Sequence, residues 1–407
     1  MSAARRPLWP VYAAESSSSV GATLLTIGIF FYTEHYFHWT LRQNLLLSAA
    51  QGTAYVVGSL SSHKIATRLG RRGGLMAVLA VLTALPLIAL AGWMVPALIV
   101  YMLFASLVWP MLESLIASDA DAHAMSRRVG VYNLVWSATN VVTLAVSGKI
   151  ITVWPAGLFV IPAGAHFLSG VLVAMNPRLD RGGVVAQPAH AEPEPALLAQ
   201  RTQALWLSRI ALPATYVVVY SLSAMMPLLA VLQPLDVTQK TVVSSIWMGA
   251  RWFVFAALMA SAWWHTRPRI LLLSAAVMLV AFLGITIRPS EIPGFAGVGR
   301  AVDLASMVGW QIVLGAVMGI IYAGSLYFGM VLSEGSTEHG GYHEALIGLG
   351  SVIGPTSAAL TQWRWPGQTR AGVLAVACVV AATVAAAGYV TLRFRRPIRQ
   401  PDEVARV

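Results

Sequence analysis

Long apolar runs separated by short polar breaks dominate the chain. The stretch SSIWMGARWFVFAALM (244–259) is typical, with a single charge, Arg251, in an almost wholly apolar run. A helix on a soluble surface keeps one polar face, and these runs do not. Each is instead close to the roughly 20 residues that cross a bilayer. Twelve fall near 14–37, 43–63, 75–93, 96–117, 130–150, 153–175, 209–232, 242–264, 270–287, 306–332, 344–362 and 371–392. Backbone in lipid must satisfy its own hydrogen bonds, and runs of this length fit helices rather than barrel strands. The expected fold is an all-α membrane protein of twelve transmembrane helices in two pseudo-symmetric six-helix bundles.

Residues 176–205 interrupt the pattern with Pro, Ala and charge, and read as a flexible linker. The expected organisation is a first bundle over 1–175, that linker, a second bundle over 206–392 and a basic tail over 393–407. The first run is too long, and lacks the small-residue cleavage site, for a signal peptide.

Composition agrees with a bilayer solvent. Of 407 residues 57% are hydrophobic and 11% charged, where soluble domains carry about 25% charged residues. The net charge of +11 follows topology rather than nucleic acid. With a cytoplasmic N-terminus, 19 of the 27 Lys and Arg residues fall in cytoplasmic segments and 7 outside, with Arg251 alone in mid-membrane. That bias orients helical membrane proteins and puts both termini inside, which needs an even helix count. Cys378, in the last run, is the lone cysteine and forms no intrachain disulfide. There is no phosphate-binding Gly-Lys-Ser/Thr loop and no residue set for intramembrane hydrolysis. The expectation is a monomeric non-enzyme in a bacterial inner membrane, with a small-molecule solute and the lipid bilayer as partners, proton symport, antiport or no coupling left open, and no cofactor, metal or nucleic-acid partner.

The halves show a faint repeat. AAQGTAYVVG (49–58) aligns with SIWMGARWFV (245–254) through Gly52 and Gly249, and GVYNLVWSATNVV (130–142) with GYHEALIGLGSVI (341–353). After the second run comes HKIATRLGRRGGL (63–75). This resembles the signature of the major facilitator superfamily (MFS), Gly-x-x-x-Asp-Arg-x-Gly-Arg-(Arg/Lys), between its second and third helices. Arg68, Gly70, Arg71 and Arg72 match; His63 stands in place of the glycine and Thr67 in place of the aspartate. The resemblance implies an inner-gate loop and secondary transport by rocking of the two halves. The lost aspartate implies a latch built differently. The arginine that many proton-coupled members carry on helix 4 is absent, Glu113 standing there instead. The Gly-Pro ending of helix 5 in many drug antiporters is also absent, although Gly354-Pro355 occurs in helix 11.

By that resemblance, helices 1, 4, 7 and 10 line a central cavity and 2, 5, 8 and 11 form the seam between halves. Polar groups there are the candidates, because a polar group facing lipid is unfavourable. Arg251 lies about 13 Å from the outer end of its run at 1.5 Å per residue, beyond easy snorkelling. It reads either as a clamp for carboxylate, phosphate or hydroxyl groups or as the partner of an internal carboxylate. Tyr216, Tyr220 and Ser223 form a stripe on helix 7, and Gln311, Tyr322, Ser325 and Tyr327 lie on helix 10. Arg251, Tyr216, Tyr220, Tyr322, Ser325 and Gln51 form the expected solute-binding set.

Glu34, His35, Glu113 and Glu344 form the expected proton-coupling or gating set, with Arg68, Gly70, Arg71 and Arg72 at the inner gate. Glu34, His35 and His38 sit among aromatic residues that equally suit an interfacial belt, while Glu113 reads equally as a hydrated helix end. His166 reads as a packed residue. Glu338, His339, His343 and Glu344 fall at a helix start, where acids suit the dipole. Glu344 is expected to meet the basic loop at Arg72 in place of the missing aspartate. The functional expectation is transport of a small polar or amphipathic organic solute. Efflux of hydrophobic compounds, or a transporter-like receptor, are the alternatives.

Overall fold

The structure is a computed structural model and describes residues 8–117, 122–176, 195–261, 263–295, 297–333 and 337–393. Among these residues there is no strand. Helix α1 (Trp9–Thr23) passes through a π-helical turn, Leu24–Gly28, into α2 (Ile29–Phe37); α3 spans Leu41–Leu69. Helix α4 (Arg71–Ile88) leads through a second π-helical turn into α5 (Met94–Ala117), and α6 (Ala122–Val153) and α7 (Gly157–Ala174) follow. The remainder comprises α8 (Pro195–Met225), α9 (Val237–Ser244), α10 (Ile246–Ala260), α11 (Arg269–Thr286), α12 (Arg300–Ser333), α13 (Thr337–Arg364) and α14 (Thr369–Arg393). With α1/α2 and α9/α10 each forming one span, the described helices give twelve.

Among the described residues eight stretches are long and apolar enough to cross a membrane, one of them holding both α4 and α5. The spans outside that set are α1/α2, α3 and α13, the more polar helices. They escape lipid by packing inward: α3 lies against α5 and α13, and α13 against α8. Helix α1 is wedged between α6 and α7. Its serine row is used one residue at a time: Ser16 bonds Thr139 at 2.8 Å, Ser17 donates to the Ala165 carbonyl at 2.7 Å and Ser18 to Ser169 at 3.0 Å.

Most helices run past the expected apolar limits, because a hydropathy window sees only the part inside hydrocarbon. Helix α1 begins at Trp9, with Pro10 in the first turn, where its missing N–H costs nothing. Helix α8 begins at Pro195, so residues 195–205 of the expected linker are helical; residues 177–194 and 394–407, with the basic tail, lie outside the described residues. Helix 8 starts at Val237 rather than near 242. Asp236 and Gln239 form a reciprocal capping box there, and the helix breaks at Ser245. Arg251 is therefore about 21 Å from that end at 1.5 Å per residue.

The end of the molecule bearing Gly70 is called here the basic end, and the end bearing Glu34 the far end. Across the middle, α3 packs on α13, and α6 packs on α9 and α10. These four spans, the seam between the first six and the last six, enclose the site.

Candidate functional site

A cavity of about 110 Å³ lies on the seam, lined from α1, α3, α5, α6, α8, α10, α12 and α13. Its dominant charge is Arg251, which is buried, 4% exposed. The guanidinium carbon sits 4.5 Å from the ring centre of Trp136 and 4.8 Å from that of Trp247. Trp136 comes from α6, and Trp247 stands one helical turn before Arg251 on α10. Trp136 is braced by Phe255 at 5.5 Å and Tyr322 at 5.1 Å. No carboxylate forms an ion pair with Arg251 among the described residues, and its Nε has no hydrogen-bond partner. Tyr216, Tyr220 and Tyr322 line the same cavity, together with Thr23, Thr26 and Asn140.

Glu344, which lines the cavity, belongs to a buried acidic group. Glu113 of α5 and His343 and Glu344 of α13 bring donor atoms within 4.8 Å of one another. Tyr55 donates its hydroxyl to Glu344, while neither oxygen of Glu113 has a hydrogen-bond partner. Ser325 bonds His343 Nδ1 at 3.1 Å. Two carboxylates and an imidazole offer either a shared proton or a cation a place between helices of the two halves. Glu15 of α1, which the sequence reading passed over, lies close by with 0% exposure. It accepts from Ser19 at 3.0 Å, Trp109 at 3.3 Å and Tyr132 at 3.2 Å.

The sequence profile of the Major Facilitator Superfamily matches residues 12–337. The chain belongs to the major facilitator superfamily. It is a multi-pass membrane protein of a transporter family that is typically non-enzymatic. No curated protein matches the chain.

The loop that resembles the MFS signature is built on Gly70, which links α3 to α4 with φ of 71°, a conformation open to glycine and strained for other residues. Thr67, at the aspartate position, donates to the Lys64 carbonyl at 3.0 Å. Arg72 donates to the last carbonyls of α7, Val173 at 3.2 Å and Ala174 at 2.6 Å. The expected contact between Arg72 and Glu344 is thus replaced by two others. Because α13 begins at Thr337, Glu344 lies two turns inside it, buried against Tyr55 rather than at a helix start. Arg68 is exposed and Arg71 half-buried.

The remaining expected residues are dispersed in this MFS fold. Gln51 lies behind α1, donating at 3.2 Å to the Leu25 carbonyl of the π-helical turn, so it supports the wall rather than lining the cavity. Ser325 and Ser223 are buried without lining it. Gln311 is fully buried in α12. At the far end Glu34 pairs with Lys240 at 3.1 Å, and Lys240 also donates to the Pro227 carbonyl at 3.2 Å. His35 and His38 are exposed. His166 packs beneath α1 and bonds the Tyr101 hydroxyl at 2.8 Å. The side chains of Glu338 and His339 lie outside the described residues.

Proposed function

We propose that this MFS protein moves a small organic solute carrying oxygen acceptors, held on Arg251, by rocking residues 1–175 against 206–392. The carrying observation is the Arg251 guanidinium, buried in the seam cavity with indoles around it and no carboxylate paired to it. A planar fork without an internal partner suits carboxylate, phosphate or paired hydroxyls. The tyrosine row beside it suits ring or hydroxyl contacts. Aromatic walls alone would also admit an apolar compound, and the charge argues against that alternative.

Proton coupling through Glu113 and Glu344 belongs to the same proposal. Two carboxyl groups this close in a dry site favour sharing a proton, which supports a proton as the coupled ion. The bias of Lys and Arg favours an inner membrane with both termini cytoplasmic.

The test is a thermal-shift screen of purified protein against carboxylates, phosphates and polyols, repeated with Arg251→Ala. A true solute stabilises wild type and loses at least about ten-fold in affinity in the variant, as expected when a buried charged contact is removed. A compound that stabilises both equally removes Arg251 from the site. In proteoliposomes loaded with that solute, Glu113→Gln is expected to keep solute exchange and lose the response to an imposed pH gradient. A full response in the variant would move coupling elsewhere.

A further inference from the structure

A second cavity, about 360 Å³, is larger than the seam cavity and shares no lining residue with it. It lies at the far end, among the outer ends of α8, α11 and α14. Leu229, Val231, Ile285, Val373 and Leu374 form its apolar walls. Its rim is polar and charged. Arg288 donates to Glu291 Oε1 through Nε at 2.8 Å and Nη2 at 2.6 Å, while Arg370 Nη2 meets Glu291 Oε2 at 2.9 Å. Among the residues lining the crevice, one carboxylate against two guanidiniums leaves a net positive charge; Asp303 accepts from Ser290 at 2.9 and 2.7 Å beside Arg288 but does not line it.

Each guanidinium has five N–H donors, so Glu291 leaves most of them unused. The Arg370 side chain is 71% exposed. The mouth is apolar as well: Leu374 is 59% and Ile292 44% exposed. In a membrane protein such surface meets acyl chains, not water. An apolar slot under a net cationic rim, placed at the end of three membrane-crossing helices, has the shape and charge of an amphiphile with an anionic head.

We propose that this crevice binds a membrane phospholipid, with an acyl chain along Val231, Ile285 and Leu374 and a net anionic headgroup on Arg288 and Arg370. Glu291 holds the two guanidiniums side by side and keeps them from repelling each other. The assignment does not depend on which solute the seam cavity carries.

The experiment uses the full chain purified in detergent and exposed to equal amounts of phosphatidylglycerol and phosphatidylcholine. Lipid retained after gel filtration is then read by native mass spectrometry. Wild type is expected to retain phosphatidylglycerol preferentially, and Arg370→Gln to lose about five-fold in retention, as for one basic residue near an anionic lipid. Leu374→Trp, which fills the slot and leaves the charges, should lose both lipids. Arg370 is a surface side chain, so its replacement leaves folding intact and keeps the result readable if the tryptophan variant is unstable. Inorganic phosphate should not displace the lipid. Equal retention of the two lipids, retention unchanged in Arg370→Gln, or displacement by phosphate alone would each overturn the assignment.

Discussion

At the scale of single residues, magnitudes explain how Arg251 is tolerated. A central charge costs roughly 2.5–3.5 kcal/mol on insertion scales. A desolvated cation–π contact returns about 2 kcal/mol, and Arg251 makes two, with Trp136 and Trp247. The pair of indoles therefore offsets the insertion cost without an internal carboxylate, leaving hydrogen-bonding capacity for a ligand. His265 shows the opposite treatment of a basic group. It stacks on Tyr327 at 4.1 Å with ring planes 7° apart, in the loop between α10 and α11. Burial, then the nearby Arg201 charge, pushes its pKa down to about 4. Because this lies below the value of about 6.5 in an unfolded chain, the unfolded state binds more protons between those pH values. Stability contributed by neutral His265 is then complete above about pH 6.5 and lost as pH falls toward 4. Thermal unfolding between pH 4.5 and 7.5 should show a smaller acid-side loss of Tm in His265→Phe than in wild type; parallel curves would contradict it.

Arg251 and the cavity tyrosines were legible because polar groups stand out against an apolar run. Glu15 was not. It adjoins four serines at the edge of the apolar window, where it reads as a wet helix end, and only the helix start at Trp9 carries it inside. Lys240 was hidden for the same reason: the capped start at Asp236 lies ahead of the apolar run.

At the scale of elements, the seam rests on close backbone approach. A Cβ added at Gly52 of α3 would lie 2.6 Å from the carbonyl carbon and oxygen of Ser351 on α13. Backbone cannot step aside as a side chain can, so Gly52→Ala should destabilise by about 1–3 kcal/mol and slow any exchange that needs α3 to slide on α13. Gly73 has open space around its Cβ position, and Gly73→Ala should leave Tm no lower than wild type. Melting curves and solute exchange for the two variants check the contrast. Spacing of apolar runs located the helices, and the resemblance picked out the seam. The π-helical turn at LLTIG (24–28) had no visible mark, since nothing in its composition separates it from regular helix. Its carbonyl partner, Gln51, consequently read as a ligand contact when it is a brace.

At the scale of the whole molecule, contacts join the two halves at both ends of the seam. At the basic end α13 approaches α3 at Gly341, where an added Cβ would lie 3.0 Å from Ser62 Oγ. At the far end the halves are joined by Glu34 with Lys240, and by the Gly148 N–H donating to Thr241 Oγ1 at 3.1 Å. Lys240 is 5% exposed, whereas the Glu34 side chain keeps 19% of its surface exposed, so removing the lysine costs less than the roughly 3–5 kcal/mol of a fully buried pair but takes away the contact between the halves. Lys240→Ala should therefore open the far end. In a Cys378→Ser background, Asn140→Cys inside the cavity reports this: a membrane-impermeant thiol reagent should label it at least about ten-fold faster when Lys240 is also replaced. An unchanged rate would mean that the ion pair does not hold the halves together there.

One contact ties the scales together. Arg251 touches Trp247 on its own helix and Trp136 on α6, across the seam. If the halves rock as proposed, the first contact travels with the arginine and the second is surrendered. At about 1–2 kcal/mol for that contact, this arrangement is favoured by roughly 5- to 30-fold in population. An anion that draws the guanidinium off Trp136 erases this bias. Occupancy of the cavity would then set how often the halves part, with no separate sensor for the solute.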